Sequence, residues 1–194
     1  MLWIWIQALV VNGVLISFAQ RTPLLTTRGW IHAAALGTML WGSLGWRGWL
    51  AVAVYLVLGS LVTRIGFANK QHRGIAEARD GRRGPENVWG SAAVGAGLAL
   101  ILAASPQEAI LWRQILLIGF SASFAAKLAD TFGSEIGKRW GRTTVLITTL
   151  RPVAPGTDGA ISLEGTMASA VGSVLMTLAL WGLSSTQLPL IPNA

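Results

Sequence analysis

Long apolar stretches leave this chain few ways to fold. A membrane-spanning helix needs about 20 mostly apolar residues, and six segments come close to that requirement: 2–19, 30–44, 46–65, 88–104, 111–129 and 161–183. The second is short, and "GSLGWRG" at 42–48 reads as a tight turn joining it to the third. Only 12% of the 194 residues are charged, about half the usual share of ~25% in soluble domains. Trp3, Trp5, Trp30, Trp46, Trp49, Trp89, Trp112 and Trp181 fall near the ends of these segments, as in an interfacial aromatic belt. The first segment has neither a basic leading region nor a small-residue cleavage site, so it reads as a retained span rather than a cleaved signal peptide. The predicted fold is all-α: a polytopic membrane helical bundle of about six transmembrane helices, forming a single domain over 1–194.

The charges then orient the bundle. Thirteen of the 15 Lys and Arg fall in the loops after the first, third and fifth segments, and only Arg47 and Arg113 lie on the opposite side. The positive-inside rule places those three loops in the cytoplasm and both termini on the non-cytoplasmic side. The net charge of +7 therefore reads as loop bias and headgroup attraction, and no nucleic-acid partner is expected. Seven of the eight carboxylates gather on the same basic side, with Glu108 alone opposite. Positive-inside bias does not require that, so a site is expected there. The absence of Cys excludes thiolate chemistry and disulfides, and two His make a His-rich metal centre implausible.

Three stretches converge on this face. In "SFAAKLADTFGSEIGK" (123–138), helical spacing puts Ser123, Lys127, Asp130 and Ser134 on one face, with Thr131 and Glu135 in an adjacent row. Intramembrane ionisable residues suggest function by default, although Lys127 and Asp130 also suit a simple i, i+3 ion pair. Asp130 and Glu135 lie about 140° apart on an ideal helix. A break at Gly133 would let both hold one Mg²⁺; otherwise they serve different ends. In "RPVAPGTDGAISLEGTMAS" (151–169), Thr157, Asp158 or Ser162 could cap the sixth segment. Backbone N–H groups at Gly156, Thr157 and Gly159 would form an anion-binding turn. In "NKQHRGIAEARDGRRGPENVWGSAA" (69–93), most charges read as solvated, with Arg82, Arg83 and Asn87 nearest the membrane. "GSEIGK" falls one residue short of a P-loop and has Arg139 where Ser or Thr belongs.

Carboxylates beside Lys and Arg, without a His or Cys nucleophile, suit phosphoryl transfer, which needs Mg²⁺, cations and precise positioning. Mg²⁺ commonly takes one or two carboxylates plus substrate phosphates.

The paired motifs "ADTFGSEIGK" (129–138) and "RPVAPGTDGAISLEGTMAS" (151–169) resemble those of an integral-membrane family that contains the plant and cyanobacterial phytyl-phosphate kinases. "LTTRGWIHAAALGTMLWGSLGWRGW" (25–49) and "RRGPENVWGSAA" (82–93) are similar to its earlier blocks. The resemblance covers nearly the whole chain, with Phe132 where the family more often has Trp. It implies a distant relation to CTP-dependent dolichol and phytol kinases. It also implies a lipid kinase that passes a phosphoryl group from CTP to phytyl monophosphate, giving phytyl diphosphate for tocopherol or phylloquinone synthesis. On that reading Asp130 and Glu135 hold Mg²⁺, with Asp158 as a further ligand. Lys127, Lys138, Arg82 and Arg83 neutralise phosphates, and Asn87, Ser134, Gly156, Thr157, Gly159 and Ser162 bind nucleotide or phosphate. The implied partners are an isoprenoid phosphate lipid, a nucleotide and membrane lipid, with a homodimer left open. The site loops would be cytoplasmic in a bacterial or cyanobacterial membrane, or stromal in a plastid. A CTP-dependent polyprenol kinase and a transporter or scramblase of isoprenoid phosphates are the alternatives.

Overall fold

The computed structural model describes residues 2–183, and the chain is mostly helical. Helix α1 is Leu2–Ala19, α2 Thr27–Arg64, α3 Phe67–His72, α4 Pro85–Ala104, α5 Ile110–Trp140 and α6 Leu163–Leu183. A 3₁₀ turn covers Arg79–Gly81. All but α3 among the α-helices are long and apolar enough to cross a membrane. Helix α2 is two of the expected segments, because Gly45 leaves helical geometry at φ 71° and ψ −168°. A side chain at Gly48 would lie 3.1 Å from the Leu40 carbonyl. A straight helix would separate residues 40 and 48 by about 12 Å, so the chain turns back on itself at Gly45 and α2 has two arms. The positive φ there is glycine's to adopt.

The all-α expectation needs one correction. Strands β1 (Thr144–Leu146) and β2 (Ala160–Ser162) form an antiparallel pair, with Val145 opposite Ile161. Residues 161 and 162, expected to open the sixth span, belong to this strand. Two Pro and two positive-φ Gly between 152 and 159 bar a helix, and the β-branched Val145 and Ile161 suit paired strands.

Phe120, Phe124 and Leu128 of α5 pack with Tyr55 of α2, Ala96 of α4 and Met176 of α6 in the buried core. Outward-facing apolar residues such as Leu9, Val94, Ile115 and Leu178 stay exposed, as expected of a surface solvated by lipid. The tightest seam joins α5 to α6. A Cβ at Gly165 would lie 2.8 Å from the Gly133 carbonyl, and one at Gly172 2.9 Å from the Leu128 carbonyl. Small residues let membrane helices approach this closely, and the seam delivers the β-hairpin to one face of α5.

Candidate active site

Most of the expected site residues line two polar chambers beside α5. The segment before α2 is tied to the segment before α4: Arg83 N donates to Leu24 O and Thr26 N to Arg83 O, each at 3.0 Å. Gly84 N donates to Asn87 Oδ1 at 2.9 Å, and Pro85 sits in the first turn, so "GPEN" starts α4 by capping. Ser162 Oγ accepts from Gly165 N at 3.1 Å and so caps α6, the role the sequence left open among three residues.

Helix α5 continues unbroken through Gly133 to Trp140. Gly133 is therefore not a hinge; it lies where α6 crosses, against Ser169 and the Gly165 carbonyl. With the helix intact, Asp130 and Glu135 point different ways. Asp130 is exposed and accepts from Lys127 Nζ at 2.8 Å. Glu135 is buried and paired with Lys70 Nζ, which is fully buried and also donates to Thr63 O at 2.8 Å. Glu135 thereby fastens α3 to α5. The break at Gly133 that would let these two carboxylates share one ion is absent from α5, and Glu135 is occupied as the partner of a buried ammonium.

Two polar chambers flank α5. The glycine-rich chamber has a volume of about 470 Å³ and is walled by Gly156, Thr157, Asp158 and Gly159, the β-hairpin and the start of α6. That volume falls within the range of roughly 300–1,000 Å³ typical of small-molecule sites. Gly156 (φ 92°) and Gly159 (φ 75°) hold the loop open. Their amides donate to no partner among the described residues, whereas Thr157 N is used on Ala154 O at 3.2 Å. Thr144 Oγ1, on the same wall, is buried without a partner. With the positive end of the α6 dipole behind it, this chamber is suited to an anion.

The second chamber, about 210 Å³, is the charged one. It is lined by Arg83, Asn87, Lys127, Asp130, Ser134, Glu135 and Lys138, with Tyr55, Glu77 and Glu86. Its four carboxylates each have a partner: Glu77 accepts from Asn87 Nδ2 at 3.3 Å, Glu86 pairs with Arg79, Asp130 with Lys127 and Glu135 with Lys70. Arg83 has none. Asp130, Ser134 and Lys138, spaced one helical turn apart, line both chambers and form the ridge between them.

The structure thus divides the expected site residues. Asp130, Ser134, Lys138, Asp158, Gly156, Thr157, Gly159 and Ser162 share the glycine-rich chamber, and Lys127, Arg83, Asn87 and Glu135 share the charged one. Arg82 is exposed and lines neither. Lys70 and Tyr55 were missed. Tyr55 accepts from Arg83 Nη1 at 2.9 Å and donates to Ser91 Oγ at 2.8 Å; its being the single Tyr of the chain, set in an apolar span, was an available cue. Lys70 had no cue, since its partner lies 65 residues away. No cluster of three or more His, Asp or Glu poised for a metal occurs among the described residues. The glycine-rich chamber holds two carboxylates, Asp130 and Asp158, with Ser and Thr hydroxyls. That oxygen set fits Mg²⁺ brought in with substrate phosphates and does not fit an all-protein metal cage.

Residues 10–193 match the family described as Integral membrane protein DUF92. The chain belongs to that family. It is the integral-membrane family to which the paired motifs pointed. The chain is 50% identical over 177 residues to the uncharacterized membrane protein sll0875 of Synechocystis, covering 90% of this chain and 67% of that one. It is 41% identical over 174 residues to Protein VTE6, chloroplastic, of Arabidopsis thaliana, covering 88% of this chain and 52% of that protein. Membrane protein MJ0933 of Methanocaldococcus jannaschii is 30% identical over 171 residues, with 88% and 68% covered. The chain thus spans about half to two thirds of these relatives' lengths. No solved structure matches it.

Proposed function

We propose that this DUF92 protein is a membrane phosphotransferase that moves the γ-phosphoryl group of a nucleoside triphosphate, CTP by the family resemblance, onto phytyl monophosphate to give phytyl diphosphate. One observation carries the reading: the ridge of Asp130, Ser134 and Lys138 faces two polar chambers at once. A phosphoryl group has to pass between a donor and an acceptor held on either side of common groups, and this ridge supplies such groups.

The donor fits the glycine-rich chamber, where the free amides of Gly156 and Gly159 and the α6 N-terminus receive phosphate oxygens. The acceptor phosphate fits the charged chamber, beside Arg83 and Lys127. An oxygen of the acceptor phosphate attacks the γ-phosphorus, and the bond to the bridging oxygen breaks, so the nucleoside diphosphate leaves with that oxygen. Lys138, reaching either chamber, offsets the charge on the moving group. Asp130 and Asp158 would hold Mg²⁺, which supplies charge neutralisation on the donor phosphates. A phosphate monoester is largely a dianion at neutral pH, with a second pKa of about 6. It attacks without a general base, consistent with a site that has no His. Tocopherol and phylloquinone synthesis would consume the product.

Purified protein in detergent, given CTP, Mg²⁺ and phytyl monophosphate, forms phytyl diphosphate and CDP in equal amounts. Phytol turning over in place of its phosphate would favour a polyprenol kinase. Movement of isoprenoid phosphate across sealed vesicles without nucleotide consumption would favour a transporter.

A further inference from the structure

A third cavity adjoins the charged chamber. It has a volume of about 210 Å³, lies between α1, both arms of α2 and the start of α4, and is lined mostly by aliphatic and aromatic side chains. Tyr55, Arg83, Asn87 and Ser91 line both it and the charged chamber. Arg83 therefore stands at the mouth, with hydrocarbon on one side and polar groups on the other.

Arg83 is 8% exposed, and no carboxylate among the described residues lies within ion-pairing distance of it. Its guanidinium sits 5.4 Å over the Tyr55 ring, and its one hydrogen bond is to Tyr55 Oη. The absence of a side chain at Gly59 makes room: a Cβ there would lie 2.7 Å from Nη2. A buried charge is costly unless paired, so this position suits an anion. Trp30, another lining residue, keeps its indole Nε1 buried without a partner. The far end of the cavity is closed by Asn12, which is 2% exposed and accepts from Trp49 Nε1 at 2.7 Å. Tyr55 lies six positions after Trp49 along α2, so the cavity runs about 9 Å from mouth to floor.

Building on the phosphotransferase reading, we propose that this groove is the acceptor's tail site. It takes the head-proximal part of a prenyl chain, while Arg83 grips the phosphate at the mouth. The rest of the chain leaves past α1, which packs mainly on α2 and is the wall best placed to yield. A hydrocarbon with an anionic head is the occupant that satisfies both the apolar lining and the unpaired guanidinium. Chain recognition then depends on the first prenyl units, and the tail's far end contributes little.

The test uses a phytyl monophosphate analogue carrying a photoreactive diazirine near its head, with the whole protein in detergent. Labelling is expected in the segments around Ala33 and Ala53, on facing walls of the groove, with competition by phytyl monophosphate and not by phytol or phosphatidylglycerol. Ala53→Phe or Ala33→Phe should each raise the KM for phytyl monophosphate about tenfold and leave the KM for CTP unchanged. The two variants approach from opposite walls, so misfolding of one does not remove the test. Labelling elsewhere, or equal competition by phosphatidylglycerol as for any bilayer lipid, overturns the proposal. Phosphate-dependent labelling in the groove without diphosphate formation would uphold the tail site and overturn the kinase reading.

Discussion

The two polar chambers beside α5 are made of different materials. The glycine-rich one is mostly backbone and hydroxyl, shaped by residues at φ 92° and 75° and by the start of α6. The charged one is made of long side chains whose carboxylates are already matched, leaving one guanidinium over. Under the proposed function the first would select by conformation and by amides aimed at oxygen, and the second by charge balance. Changes of backbone freedom should therefore injure the one, and changes of charge the other. Only the ridge between them should be sensitive to both.

That contrast can be broken at the ridge. Asp130→Asn keeps the shape but removes the carboxylate common to both chambers, and kcat for diphosphate formation should fall by about 100-fold or more, with the thermal melt in detergent unchanged. Full turnover would dissolve the idea of a shared wall. Next in size is the buried pair under the charged chamber. Lys70→Met leaves the buried Glu135 with only the longer contact to Lys138 Nζ at 3.7 Å, with an expected loss of about 3–5 kcal/mol in unfolding free energy. Adding Glu135→Leu should restore most of it, and failure to do so would give Glu135 a role beyond holding α3. A third change sharpens the glycine-rich side. Gly156→Ala forces a Cβ into φ 92° and against Ile75. It should cost about 1–3 kcal/mol and raise the KM for nucleotide, with that for lipid phosphate unchanged. A higher KM for the lipid instead would exchange the chambers' assignments. The smallest effect is expected at Arg82→Ala: it is exposed and lines neither chamber, so stability should stay within about 0.5 kcal/mol and turnover should hold. A large loss would bring Arg82 into the phosphate path.

What could be read from the chain alone was what is local. Hydropathy marked the spans, "GSLGWRG" at 42–48 the reversal, and the spacing of Ser123, Lys127, Asp130 and Ser134 one face of α5, because helical periodicity is a property of neighbours. The glycine-rich turn was legible for the same reason. Gly133 was open to misreading because a glycine among charges looks like a hinge, while its use here is to admit the α6 backbone, a fact about another helix. Glu135 looked like a ligand until its distant partner Lys70 was in place. Arg82 and Arg83 are indistinguishable as neighbours, and only the pairing of the Arg83 backbone with Leu24 and Thr26 turns one inward. The short β-hairpin was visible as a non-helical segment, but its pairing partner was not.

The length of α5 has a consequence for traffic between water and lipid. Its 31 residues extend about 46 Å, while the hydrocarbon layer is about 30 Å thick. A helix that long must overshoot the bilayer or tilt steeply within it. If it stands near upright, its charged last turns rise above the oily layer like a pier, and under the proposed function a water-soluble triphosphate would dock there without entering fat. The proposed lipid acceptor would then need only to lift its head to meet it, keeping its tail below.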